Sequence, residues 1–166
     1  MADNTTDLPP DTLNDIGVLK RREIEARIVA PLLERFAAEF GSDRVYGLAR
    51  EVVVEVAQSQ GAELAAQMGG NDLVQFANSM GNWSKGGALE TELVEQTDET
   101  FAFNVTRCKY AEMYRSLGLE DLGATLSCNR DGTMVQGFNS NIEFTRTQTI
   151  MGGASHCDFV YRLPKS

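Results

Sequence analysis

Three short blocks in the last third of the chain gather the residue types that could do covalent or metal-assisted chemistry. They read Asn104-Val-Thr-Arg107-Cys108-Lys-Tyr-Ala-Glu112, then Ser127-Cys128-Asn-Arg130-Asp131, then Arg146-Thr-Gln-Thr-Ile-Met-Gly-Gly-Ala-Ser-His156-Cys157-Asp158-Phe-Val-Tyr161. Together they hold all three cysteines and the one histidine. Cys108 sits where a strand should give way to a helix, between Arg107 and Lys109. A helix N-terminus and flanking cations both favour a thiolate, so the position predicts a lowered thiol pKa and a nucleophile. The competing reading is a small buried hydrophobe, the commonest fate of a free cysteine. Glu112, one helical turn on, would share its face.

Cys128 and Asp131 share a turn, while Cys157 and Asp158 adjoin at the start of a strand and should point to opposite faces. Two thiols with a carboxylate suit a soft divalent metal, zinc or manganese, with Cys128, Cys157 and Asp131 as ligands. No CxxC or HExxH spacing supports it. His156 reads as a solvated loop histidine rather than a catalytic base, since adjacency to Cys157 does not supply hydrogen-bond geometry. Arg107, Arg130 and Arg146 can each clamp a carboxylate. Arg146, expected within an alternating strand, is the leading anchor, and ordinary surface arginine is the alternative for each.

The scaffold must come from the rest of the 166 residues, a length that suits one domain. An apolar content of 42% is ordinary for a packed core, and the net charge of −9 argues against nucleic acid and anionic membrane surfaces as partners. With no secretory signal, no membrane span and an odd cysteine count, the reading is a cytoplasmic protein with free thiols. Residues 1–11 read as a flexible tail and 12–166 as a single α+β domain.

Ile24, Ile28, Leu32, Phe36 and Phe40 draw one apolar stripe on a first helix, opposite a charged face that includes Arg21, Arg22 and Glu25. Pro31 should kink or divide that helix. A second helix should follow Ser42 or Asp43 and run to Gly69-Gly70, with a shorter one capped by Asn71. A hairpin is expected over residues 89–95 and 100–106, with Phe101, Phe103 and Val105 on one face. Helices should cover 109–117 and 119–128, residues 129–141 should be mostly loop, and strands should cover 142–151 and 158–163. The glycines around Trp83 suit either a lid or a plain turn. The sum is α+β: N-terminal helices packed on a small antiparallel sheet of about four strands with inserted helices.

These blocks resemble the family named for L-2-amino-thiazoline-4-carboxylic acid hydrolase. The likeness is carried by residues 21–26 of the first helix, 103–114 around Cys108, 126–131 around Cys128, Gly137-Phe138-Asn139, 146–151, and Cys157-Asp158-Phe159. A more distant likeness is to vinyl-reductase-type ligand-binding domains. The resemblance implies a hydrolase that opens a small cyclic amidine or amide bearing a carboxylate, such as a thiazoline carboxylate, by adding water at a C–N bond. On that basis Cys108, Cys128, Cys157, Asp131 and Asp158 are the catalytic candidates, and Arg146, Arg107 and Asn104 the substrate-binding ones. The attack is either by a cysteine or by metal-activated water. The alternative is a sensor module that binds a small molecule or metal without turnover. A small heterocyclic acid is the expected partner, and a homo-oligomer is compatible with the first helix and the hairpin edge.

Overall fold

The computed structural model describes residues 13–164, so the expected tail over 1–11 lies outside the described residues. After a short 3-10 turn, Leu13–Ile16, come two long helices, α1 (Val18–Phe40) and α2 (Ser42–Met68), joined through Gly41. Short helices α3 (Leu73–Ser79) and α4 (Gly81–Ser84) lead into a hairpin of β1 (Leu89–Gln96) and β2 (Thr100–Cys108). Helices α5 (Lys109–Ser116), α6 (Glu120–Gly123) and α7 (Arg130–Phe138) are then inserted before β3 (Glu143–Thr145) and β4 (Cys157–Arg162). The strands form one antiparallel sheet in the order β1-β2-β4-β3, so the expected α+β plan holds. Among the described residues, no helix is long and apolar enough to cross a membrane.

The β2–β4 register stacks the aromatic residues that alternate along both strands. Phe101, Phe103 and Val105 lie opposite Tyr161, Phe159 and Cys157. The Phe103 and Phe159 rings stack at 4.9 Å, inclined by 6°. This face meets Phe76 of α3 and Phe138 of α7, whose rings approach to 5.2 Å. Asp72, rather than Asn71, caps α3: its side chain accepts from the Gln75 backbone N–H while the Gln75 side chain reaches back to Asp72.

α1 is turned the other way from its expected orientation. Its buried positions are Val18, Arg22, Ala26 and Ala30, also spaced by four but two residues out of phase with the large apolar stripe. Two residues correspond to about 200° around the helix. The alanines admit a close approach to Ala111 and Tyr114 of α5, which are wholly buried, and Arg22 is carried inside with them. Ile24, Ile28, Leu32, Phe36 and Phe40 face outward instead. Pro31, on the exposed side, does not divide the helix.

The expected loop over 129–141 is largely helix α7. Its glycines are packing residues, not turn formers. A Cβ on Gly137 would lie 1.9 Å from the Gln58 carbonyl oxygen of α2, and one on Gly61 of α2 would lie 2.0 Å from the Met134 carbonyl of α7. Backbone therefore touches backbone where the two helices cross. Gly137→Ala should lower stability by about 3 kcal/mol or more, seen as a lower urea midpoint at unchanged slope. An unchanged midpoint would mean that α2 and α7 can separate without loss.

The third strand is also shorter than expected. It ends at Thr145 because the next backbone N–H groups turn away to a side chain. Those of Thr147 and Gln148 donate to the Asp158 carboxylate at 3.0 and 2.9 Å. Similarly, the helix expected over 119–128 divides into α6 and a π-helical turn, Ala124–Cys128, whose last residue opens into the site.

Candidate active site

A cavity of about 410 Å³ lies between the aromatic face of the sheet and the helices. Its size falls within the roughly 300–1,000 Å³ usual for small-molecule sites. Phe103, Phe159 and Tyr161 from the sheet make one wall, and Phe76, Met80 and Met134 from the helices make another. Trp83 also borders it, and its carbonyl accepts from the Tyr110 hydroxyl at 3.0 Å, which fixes α4 to α5. The sheet side of the cavity is thus flat and aromatic, while Arg22, Gln60, Glu63, Gln67 and Lys85 bring polar and charged groups to the helical side.

Of the residues singled out from the sequence, Cys108, Cys128, Cys157, Asp131 and Arg146 all line this cavity. Arg146 comes from the segment after β3 and reaches across to α7, where it pairs with Asp131. Its second terminal nitrogen donates to the Cys128 carbonyl at 3.0 Å. Its guanidinium also stands over the Phe159 ring, 5.2 Å from the centroid. Asp131 is enclosed by the fold yet open to the cavity. Burial pushes its carboxyl up to about 6, against the downward pull of Arg146. It therefore titrates near neutral pH, where a proton-transfer group is most useful.

The thiols behave in the opposite way to the expectation for Cys108. Burial pushes Cys108 up to about 11 and outweighs the backbone amides of Ala111 and Tyr110 at the start of α5. The flanking cations do not help it, because Arg107 turns outward to Glu112 and Glu90, and the Lys109 ammonium donates to the Gly86 carbonyl. Burial, assisted by the charge of Asp131, pushes Cys128 up to about 12. Cys157 is raised too, by burial, although its sulfur accepts from the Ile150 backbone N–H at 3.2 Å. All three are neutral thiols at pH 7. Among the described residues, no three side chains of His, Cys, Asp or Glu gather into a ready metal-ligand group.

Five further candidates lie outside the cavity lining. Arg107 is half-exposed in its ion pairs with Glu112 and Glu90. The same pairing turns Glu112 away from Cys108. Asn104 and its partner across the sheet, Asp158, are on the face opposite Phe103 and Phe159. Asp158 clamps the chain at Thr147 and Gln148; burial opposes its ionisation, but these hydrogen bonds outweigh it and hold the carboxyl below its usual range. His156 is partly exposed beside Gln148 and Ser155.

Two more arginines line the cavity: Arg130, one of the three carboxylate clamps expected from the sequence, and Arg22, which was expected on the charged outer face of the first helix. Arg22 lines the cavity from α1 and pairs with Glu25, which also accepts from Arg21 at 2.9 Å. Arg130, the first residue of α7, lines it as well. Among the described residues its hydrogen-bond partner is the neutral Gln60 side chain of α2, and it is in no ion pair. Burial, with repulsion from Arg22, pushes its guanidinium down to about 10 against the opposing pull of Glu25, so it remains charged at neutral pH with no carboxylate bonded to it among the described residues. The signal for Arg22 was its place in the Val18-Arg22-Ala26-Ala30 register, which outward-facing apolar residues obscured.

The sequence pattern of the family described as L-2-amino-thiazoline-4-carboxylic acid hydrolase matches residues 21–161. No curated protein matches the chain. Among solved structures, the phenol-responsive sensory domain of the transcription activator PoxR, crystallised with phenol, is similar in fold. The TM-score is 0.50 at 13% identity, covering 81% of this chain and 72% of that one. The matched span contains every cavity residue contributed by the three cysteine blocks, and the chain belongs to the L-2-amino-thiazoline-4-carboxylic acid hydrolase family.

Proposed function

We propose that the protein is a hydrolase that opens a small cyclic amidine or amide bearing a carboxylate, by adding water at a C–N bond. The observation that carries this reading is Asp131: a carboxyl raised to about 6 and fixed by Arg146 in a cavity that has an aromatic wall of Phe103, Phe159 and Tyr161. A flat heterocycle fits against the stacked Phe103 and Phe159 rings. Asp131 takes a proton from water as the oxygen bonds to the sp² carbon, then returns it to the ring nitrogen as the C–N bond breaks. One water is consumed per ring opened. The substrate carboxylate rests on Arg130, whereas Arg146 is already engaged by Asp131.

Water, not a thiolate, is the attacking group in this scheme. A cysteine at pKa about 11 or 12 is almost wholly protonated at neutral pH and would need Asp131 to deprotonate it first. The test is a screen of carboxylated cyclic amidines, hydantoins and lactams by mass spectrometry. The expected result is a product heavier by one water, formed also by each single Cys→Ser variant. Loss of turnover in one of those variants would restore the covalent route, and no hydrated product from any member would count against hydrolysis.

A second reading is a small-molecule sensor. It is favoured by the aromatic-walled cavity with neutral thiols and by the phenol-responsive domain that shares the fold. Saturable binding of a small aromatic ligand with no chemical change in it would favour this reading over the first.

A further inference from the structure

The outward stripe of α1 and its counterpart on α2 have no partner within the described chain. On α1, Ile24, Ile28, Leu32, Phe36 and Phe40 are 48–61% exposed; on α2, Leu48, Val52 and Val56 are 41–57% exposed. Together those eight residues leave roughly 800 Å² accessible, about one partner's share of a stable interface. The hairpin end itself, from Pro31 to Arg44, is exposed or only half-buried throughout. Its outer face cannot be explained as cover for the core.

We propose that the α1–α2 face is the contact surface of a homodimer. Three features commit it to a second copy of this chain. The area matches what such a contact needs. Both stripes are spaced strictly by four, and ridges of that spacing pack into one another at a crossing of about −50°. The stripe is also symmetric about Leu32, so a two-fold axis there sets Ile28 against Phe36 of the partner subunit and the reverse, as an isologous contact requires. The charges alongside, Arg27, Glu34, Arg35 and Glu39, are of both signs and impose no net repulsion on such a pair.

The rival surface is the free edge of β1, where Leu93 and Val94 are exposed. Glu90, Glu92 and Glu95 line that strand, and like charges along an edge oppose self-pairing. Dimerisation through α1 and α2 would also leave their inner faces, which carry Arg22 and Gln60, lining the cavity.

The test is light scattering coupled to size exclusion on the full chain at about 10 μM, well above the about 1 μM Kd taken as the limit for a stable dimer. The expected mass is twice the 18.2 kDa chain. Ile28→Glu with Phe36→Glu should give a folded monomer with unchanged circular dichroism, because both sites are exposed, while Leu93→Glu with Val94→Glu should remain dimeric. A wild-type monomer would overturn the proposal, as would a dimer that survives the helix substitutions or is lost with the strand substitutions.

Discussion

Asp131→Asn should lower turnover by about 10²–10⁴-fold while leaving a folded protein. The amide keeps the shape and still accepts from Arg146, but it can no longer exchange a proton with water or the departing nitrogen. The wild-type pH profile separates this role from a structural one. With Asp131 raised to about 6, kcat/KM should fall about tenfold for each pH unit below 6 and level off above it. The stability profile runs the other way. A carboxyl whose folded pKa lies above its ordinary 3.8 binds protons more tightly in the native state; the resulting stabilisation is fully present below about 3.8 and is lost as pH rises through about 6. Asp131→Asn should remove both dependences together. A variant with normal turnover, or a wild-type profile flat through pH 6, would exclude Asp131 as the proton carrier.

The parts of the site visible in the sequence were those encoded by residue type. The cysteine blocks, Asp131 and Arg146 stood out because few chemistries use such residues, and the cavity does bring them together. The sheet was visible too, because Phe101, Phe103 and Val105 alternate as a half-buried strand must. What the sequence obscured was orientation. Spacing by four marks a helical stripe but not which stripe faces inward, and in α1 the alanine row, with Arg22 in it, wins over the isoleucines and phenylalanines. Gly137 shows the same ambiguity: a glycine that lets backbones touch is indistinguishable by type from one that makes a turn. Cys108 failed for a third reason. Its cations were neighbours in sequence, but Glu112, Glu90 and the Gly86 carbonyl hold them away from the sulfur.

Arg130→Met should raise KM for a carboxylate substrate by about 10- to 100-fold with a smaller effect on kcat, the expected loss for one charge-assisted contact. The inference rests on charge balance around the cavity. Arg146 is matched by Asp131, and Arg22 by Glu25, whereas Arg130 has Gln60 alone among the described residues. A partly buried cation hydrogen-bonded to a neutral amide, with Glu25 and Asp131 acting on it only through space, is costly, and an incoming carboxylate bonded to it relieves that cost. Substitution by methionine removes the incompletely compensated charge at similar length, so the variant should be at least as stable as the wild type. That separates loss of binding from loss of fold. The decisive comparison is between a substrate acid and its primary amide: the wild type should prefer the acid, and Arg130→Met should bind the two about equally. If instead Arg146→Met abolished the preference and Arg130→Met preserved it, the carboxylate would sit at Arg146 despite its pairing with Asp131, and the ring would lie reversed against Phe103 and Phe159.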